Sequence, residues 1–154
     1  MNASPHRLTQ EQQAAWDGFI RMQEKLIGRL SRRIQADSRI SASDFIVLAK
    51  LSAVGGQMRF MDLTNSVEWE KSRMSHQIGR MVKRGLVAKE DCPEDGRGAF
   101  VVATPAGYQA IENAAPQHAV HIRRLFFDVL TEDEVAAMAG ISAKVLRHLE
   151  KQPD

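Results

Sequence analysis

The sequence predicts a mainly α-helical fold carrying one small β-wing. Three observations carry that expectation. Apolar residues recur at three- and four-residue spacing in several separate stretches, the pattern of helices with one buried stripe. Between Leu86 and Thr104 the period changes, and two short valine-rich runs flank a segment dense in turn formers. The longest helical stretches lie outside that middle part, at the two ends of the chain.

Taken in order, Thr9 and Gln12 form a Thr-x-x-Gln capping box. Trp16, Phe19, Ile20, Leu26, Ile27, Leu30 and Ile34 follow on one face, so the first helix runs to about Asp37. Ser41 or Ser43 caps a second helix, DFIVLAKLSAV, which Gly55-Gly56 stops. A short extended piece, QMRF, read as a short strand, leads to a small helix, MDLTNSV. Glu68-Trp69-Glu70 then turns the chain into KSRMSHQIGRMVKRG, Lys71 to Gly85, whose last glycine ends a fourth helix. LVAKED and GAFVVAT around CPEDGRG read as a β-hairpin with an extended tip. Thr104-Pro105 supplies an N-cap and a proline at the first helical position. The helix it opens runs toward Phe127, and Pro116 is expected to kink or divide it. Thr131 and Glu134 form another capping box, opening VAAMAGISAKVLRHL.

Two small helices joined by a tight turn and followed at once by a two-stranded wing are the order of a winged helix-turn-helix, here over residues 41–104. Helices at 8–37 and 105–150 flank that lobe, and residues 1–154 are read as a single domain.

Composition narrows the function classes. A formal charge of +2 is too small to announce a polyanion partner by itself, so any such case rests on where the charges sit. One cysteine, Cys92, excludes an intrachain disulfide and any multi-cysteine metal site. The N-terminal residues MNASPHRLTQEQQ lack the apolar core of a signal peptide, and no run approaches the roughly 20 apolar residues a spanning helix needs. A soluble, cytoplasmic protein is expected. No nucleophile with its base, paired-carboxylate site or phosphate-binding glycine loop is recognisable, which argues against an enzyme and against a cofactor. His118 and His121 stand three apart on a helix and could share a metal, yet no cysteine or further histidine lies nearby in sequence, so solvation or interface packing is expected instead.

The fourth helix carries the strongest functional signal. At 100° per residue Met74, Ile78, Met81 and Val82 gather on one side. Ser72, Lys83, His76, Arg80, Arg73, Arg84 and Gln77 fill a sector of roughly 140° with no apolar residue in it. A solvated helix face usually interleaves acids with bases, and here no acid appears between Lys71 and Gly85. Uncompensated like charges on one face cost stability, which a polyanion would relieve. The residue types also suit base edges: arginine for guanine, glutamine for adenine, serine and histidine as adaptable donors and acceptors. In the wing, Asp95, Gly96, Arg97 and Gly98 make a thin tip from which Arg97 can enter a minor groove, held by a bidentate pair with Asp95. The rival from another class is a helical interaction module whose basic helix docks an acidic protein.

The run from WEKSRMSHQIGRMVKRGLV through EDCPEDGRG to VVATPAGYQAI resembles the MarR family, the multiple antibiotic resistance type of bacterial regulator. Arg84, Gly85, Leu86 and Val87 match the Arg-Gly-Leu-Val that ends the family's recognition helix. Asp95 and Arg97 match the Asp-x-Arg of its wing, and Thr104 and Gly107 match its Leu-Thr-x-x-Gly, with Ala103 in place of the leucine. The resemblance covers nearly the whole chain. It implies a homodimeric transcriptional regulator, a repressor or less simply an activator, docked on a pseudo-palindromic operator. It also implies that Ser72, Arg73, His76, Gln77 and Arg80 face bases or phosphates. Lys83 and Arg84 on the same helix face and Asp95 and Arg97 in the wing complete the expected DNA-binding set. His76 stands where many relatives carry arginine.

Dimerisation follows independently from the apolar excess. Ile111, Ala115, Val120, Ile122, Leu125, Phe126, Phe127, Val129 and Leu130 make the stretch before Thr131 too apolar for a solvated helix. Val135, Met138, Ile141, Val145, Leu146 and Leu149 continue the pattern, and a second copy is the simplest cover. Relatives commonly take small, often aromatic, anions between the dimer helices and the DNA lobe, and the resemblance implies such an effector. Candidates for lining its crevice are Trp16, Phe19, Met22, Phe45 and Leu48. Some members sense oxidants through a cysteine near the start of the first helix, where this chain has none; Cys92 in the wing reads as incidental.

Overall fold

The computed structural model describes residues 7–91 and 98–152. The helices are α1 (Gln10–Asp37), α2 (Ala42–Ala53), α3 (Phe60–Ser66), α4 (Lys71–Lys83), α5 (Pro105–Leu125) and α6 (Glu132–Leu149). The strands are β1 (Gln57–Arg59), β2 (Val87–Asp91) and β3 (Ala99–Ala103). This is the expected winged-helix order, the short strand at QMRF included. What the sequence did not show is its partner: β1 pairs with β3 on the side away from β2, giving an antiparallel sheet in the order β1-β3-β2. Arg59 lies opposite Phe100, and Lys89 opposite Val101.

Local chemistry explains the helix ends. Thr9 with Gln12, Ser41 with Asp44 and Thr131 with Glu134 each form a reciprocal capping box, the side chain at the cap and the side chain three residues on exchanging bonds with the backbone. Ser41, not Ser43, is therefore the cap of α2. Past α4, Gly85 has φ 74°, its N–H bonds to the Val82 carbonyl at 3.0 Å, and the Leu86 N–H bonds to the Met81 carbonyl at 3.0 Å. That pair of bonds is the Schellman stop, and the left-handed backbone it needs costs glycine least.

The residues up to His118 form one compact unit and those from Ala119 a second. The first unit is built on Ile34, Val47, Leu48, Leu51, Leu63, Met74, Ile78, Met81, Val87 and Val101, all buried. Each such side chain taken out of water stabilises the lobe by about 1.5–3 kcal/mol against the cost of ordering it. The grouping falls at His118 rather than at Thr104, because Ile111 and Ala114 on the first half of α5 are buried in this same core. Ile111 is thus a lobe residue and is not available to cover a partner. Pro116 neither ends nor divides α5, which continues through it as one helix.

In the second unit α6 has no buried residue, and Ile141, Val145, Leu146 and Leu149 are each more than half exposed. Among the described residues no helix is long and apolar enough to cross a membrane.

One contact explains why the chain needs threonine and glycine three apart at the start of α5. The Thr104 hydroxyl donates to the Gly85 carbonyl and accepts the Gly107 N–H at 3.1 Å, while the Thr104 N–H bonds to the Leu86 carbonyl at 3.2 Å. These bonds draw α5 so close to the start of β2 that a Cβ on Gly107 would lie 2.1 Å from the Leu86 carbonyl oxygen. Only glycine fits that approach.

Candidate nucleic-acid interface

The turn between α3 and α4 passes through Glu68, whose φ of 54° lies in the left-handed region. Bonds from the Glu68 N–H to Asn65 and from the Trp69 N–H to Thr64 close it. Trp69 then lies under Arg73, with the guanidinium carbon 4.0 Å from the ring centroid. A planar cation stacked on indole is held in orientation as well as in place. From there α4 presents Ser72, Arg73, His76, Arg80 and Lys83, all exposed, while Met74, Ile78 and Met81 have no accessible surface.

Two of the polar residues expected on that face have other work. Gln77 is 2% exposed, so it does not belong to the exposed polar sector in which the wheel places it. Its Nε2 donates to Asp44 Oδ1 at 2.7 Å, and its Oε1 accepts from Arg80 Nη2 at 2.7 Å. Arg84 is half exposed, but its guanidinium is spent on α2, pairing with the Asp44 carboxylate and donating to the Arg39 carbonyl at 2.7 Å. Its charge is therefore compensated from another helix. Burial pushes the Asp44 carboxyl up, but the Ser41 backbone N–H and the Arg84 guanidinium outweigh that, and the net shift is downward. Val82 departs in the opposite sense, being 40% exposed rather than part of the stripe. The buried arc of α4 is thus turned by about 40° from the apolar arc of the wheel.

Beside α4 lies a cleft of 660 Å³ that sequence reasoning missed. Arg59, Lys71 and Lys89 line it together with Phe60, Ser75 and the Gly98 end of the wing, and among the described residues none that lines it is acidic. Two of the cations are seated on rings: Arg59 lies 5.3 Å from the Phe100 centroid and Lys89 5.7 Å from that of Phe60. The signal that could have found them is strand register, since pairing β1 with β3 is what brings Arg59 and Phe100 to the wing base. Asp95, Arg97 and Cys92 lie outside the described residues.

On the far side of α2 a groove of 520 Å³ runs against α1. Leu30, Ile34, Phe45 and Ala49 are among its apolar walls, and Ser31, Lys50 and His118 are its polar members, with the His118 ring 4.6 Å from that of Phe45. Of Trp16, Phe19, Met22, Phe45 and Leu48, it is Phe45 that lines this groove. Leu48, 1% exposed, belongs to the core instead. Trp16 and Phe19 are about half exposed, with rings 5.9 Å apart, and neither they nor Met22 line the groove. Among the described residues no group of three or more His, Cys, Asp or Glu side chains could hold a metal ion.

Known proteins fit this geometry. A family profile described as a winged helix DNA-binding domain matches residues 40–107. The structure of AbsC, a MarR family transcriptional regulator from Streptomyces coelicolor, is 32% identical with a TM-score of 0.86, over 96% of this chain and 99% of that one. Sco3205, another MarR family regulator of that organism, solved in complex with DNA, is 32% identical with a TM-score of 0.88, over 99% and 95%. Among curated proteins, an uncharacterised HTH-type transcriptional regulator of Bacillus cereus is 27% identical over 92 residues. The matched part spans 60% of the length of this chain and of that relative.

Proposed function

The chain belongs to the MarR family of transcriptional regulators, and from that premise we propose that it is a homodimeric, sequence-specific DNA-binding repressor whose operator is released by a small ligand. One observation carries the reading. The exposed side of α4 offers Arg73, His76, Arg80 and Lys83 with no acid among them, while its opposite side is sealed in the lobe core. Such a helix fits a major groove with arginines at base edges, and the cleft of Arg59, Lys71 and Lys89 beside it suits a backbone phosphate. Arg97, in the wing tip, is assigned to the adjacent minor groove on the sequence alone.

Two copies are needed because one lobe reads only half a site. Paired recognition helices stand about 34 Å apart on a palindrome, one turn of duplex. The exposed Ile141, Val145, Leu146 and Leu149 of α6 are the surface a second copy would cover. The groove on α2, apolar with Lys50 at its edge, fits a small aromatic carboxylate. A ligand seated there would favour a lobe spacing that no longer matches the operator.

The test is binding of a labelled duplex from upstream of the protein's own gene, wild type against Arg80→Ala. A base-reading arginine should cost about 1–3 kcal/mol, and more for the operator than for random sequence. Equal binding by both proteins would exclude Arg80 as a reader. An acidic protein as partner would instead give no preference between duplexes.

A further inference from the structure

We infer that Asp44 and Gln77 form a buried relay that fixes the pose of Arg80, so that Gln77 is a positioning residue for Arg80 and not itself a reader of bases. The inference rests on the DNA-binding reading above and assigns specificity to residues that never touch DNA.

The relay begins at the N-terminus of α2. Asp44 is 2% exposed, and its Oδ2 takes the Ser41 N–H at 2.8 Å as half of the capping box, and the Arg84 guanidinium as well. Its Oδ1 takes Gln77 Nε2 at 2.7 Å. A carboxylate held among these donors can only accept, so the glutamine must turn its NH2 toward it. Its carbonyl oxygen then has to point the other way, and what it meets is Arg80 Nη2 at 2.7 Å. Chemistry, rather than a choice between two look-alike orientations, sets the amide. Arg80 has five N–H donors and spends one on Gln77. The rest of the fork is left for a partner, in a plane referenced to a capped helix end 33 residues upstream.

Two consequences follow for recognition. Bidentate contact with a guanine edge requires the fork in one plane, and an arginine already held there loses less rotamer freedom on binding. Gln77, for its part, could reach a base edge only by abandoning Asp44 and leaving a buried carboxylate oxygen without its donor, which is costly. The same side of α2 that carries Asp44 also carries Val47, Leu48 and Leu51, none more than 2% exposed, so the anchor does not drift with the surface.

The experiment compares wild type, Gln77→Met, Arg80→Ala, their double variant and Asp44→Asn/Gln77→Glu, by titration of the operator and of duplexes altered at single base pairs. Gln77→Met keeps the length of the side chain and removes both amide contacts. It should weaken operator binding by about three- to tenfold and flatten discrimination at the base pair that Arg80→Ala also flattens. In the Arg80→Ala background it should cost nothing further. Asp44→Asn/Gln77→Glu reverses the donor and acceptor between the first two members and returns an acceptor to Arg80, so discrimination at that base pair should come back; this pair decides the matter if Gln77→Met fails to fold. Wild-type discrimination in Gln77→Met, an additive loss in the double variant, or no recovery with the reversed pair would each overturn the relay. Its failure is separable from that of the DNA reading through the Arg80 Nε–Hε nuclear resonance of free protein. That signal should move to the position of unstructured arginine in Gln77→Met, and an unchanged signal would refute the relay whether or not duplex is bound.

Discussion

Replacing Gly107 with alanine tests the way the wing and the helices are joined. The added methyl would sit 2.1 Å from the Leu86 carbonyl oxygen and 3.1 Å from Leu48 Cδ2. Neither neighbour can give way cheaply. The Leu86 carbonyl is held by the Thr104 N–H and the Leu86 N–H by the Met81 carbonyl, while Leu48 is packed in the core at 1% exposure. Ordinary contact requires the backbones to part by about 1 Å, which would stretch the Thr104 bonds at the same joint. Forcing a methyl into a closed contact costs about 1–3 kcal/mol, occasionally more. Alanine in place of glycine in a helix returns up to about 1 kcal/mol of propensity, least in a first turn. A net loss of about 2 kcal/mol should lower the melting temperature by roughly 4–8 °C for a chain of this size. Far-UV circular dichroism melts measure it, with Gly79→Ala as the control, because a Cβ there meets nothing within 4 Å. Gly79→Ala should melt at or above wild type. If Gly107→Ala did so too, the close approach of α5 to β2 would be refuted.

The remaining expectations concern charge and assembly. Asp44 is held below its ordinary value of 3.8, so its carboxylate stabilises the fold at pH above that value, and the contribution is lost as the pH falls through the lower folded value. Denaturant midpoints of wild type and Asp44→Asn should therefore differ at neutral pH and converge in acid; a gap independent of pH would contradict the ion pair. Light scattering at micromolar concentration should return twice the chain mass of 17.2 kDa, and Val145→Glu with Leu149→Glu should shift it toward one chain. A monomeric wild type would remove the argument from the exposed face of α6.

Much of the fold was legible because its signals are local. A capping box needs two side chains three residues apart, and the boxes at Thr9 and Thr131 stand in the sequence as they stand in the structure. Met74, Ile78 and Met81 likewise announce their burial by spacing alone. What escaped is what depends on a distant partner. Gln77 lies at the edge of the polar sector next to Met81, and nothing within α4 says that it turns inward. Burying an amide is tolerable only because Asp44, 33 residues away, supplies an acceptor. Arg84 reads as one more exposed cation for the same reason, its carboxylate partner lying 40 residues upstream. QMRF reads as a short strand, but three residues have too little pattern to show which strand it pairs with, and with that pairing went the cleft at Arg59 and Lys89. Gly107 shows the reverse case: the resemblance pointed to it, and only the Leu86 carbonyl supplied the physical reason.

The central claim is that the acid-free face of α4 reads a specific duplex. Its most direct test is a fluorescence-anisotropy titration of the upstream operator and a scrambled duplex across a range of salt. Operator affinity should fall steeply and linearly on a log–log plot as phosphate contacts are screened, with about 10³-fold or greater preference for the operator kept at physiological salt. Identical curves for the two duplexes, or no binding at low salt, would contradict it.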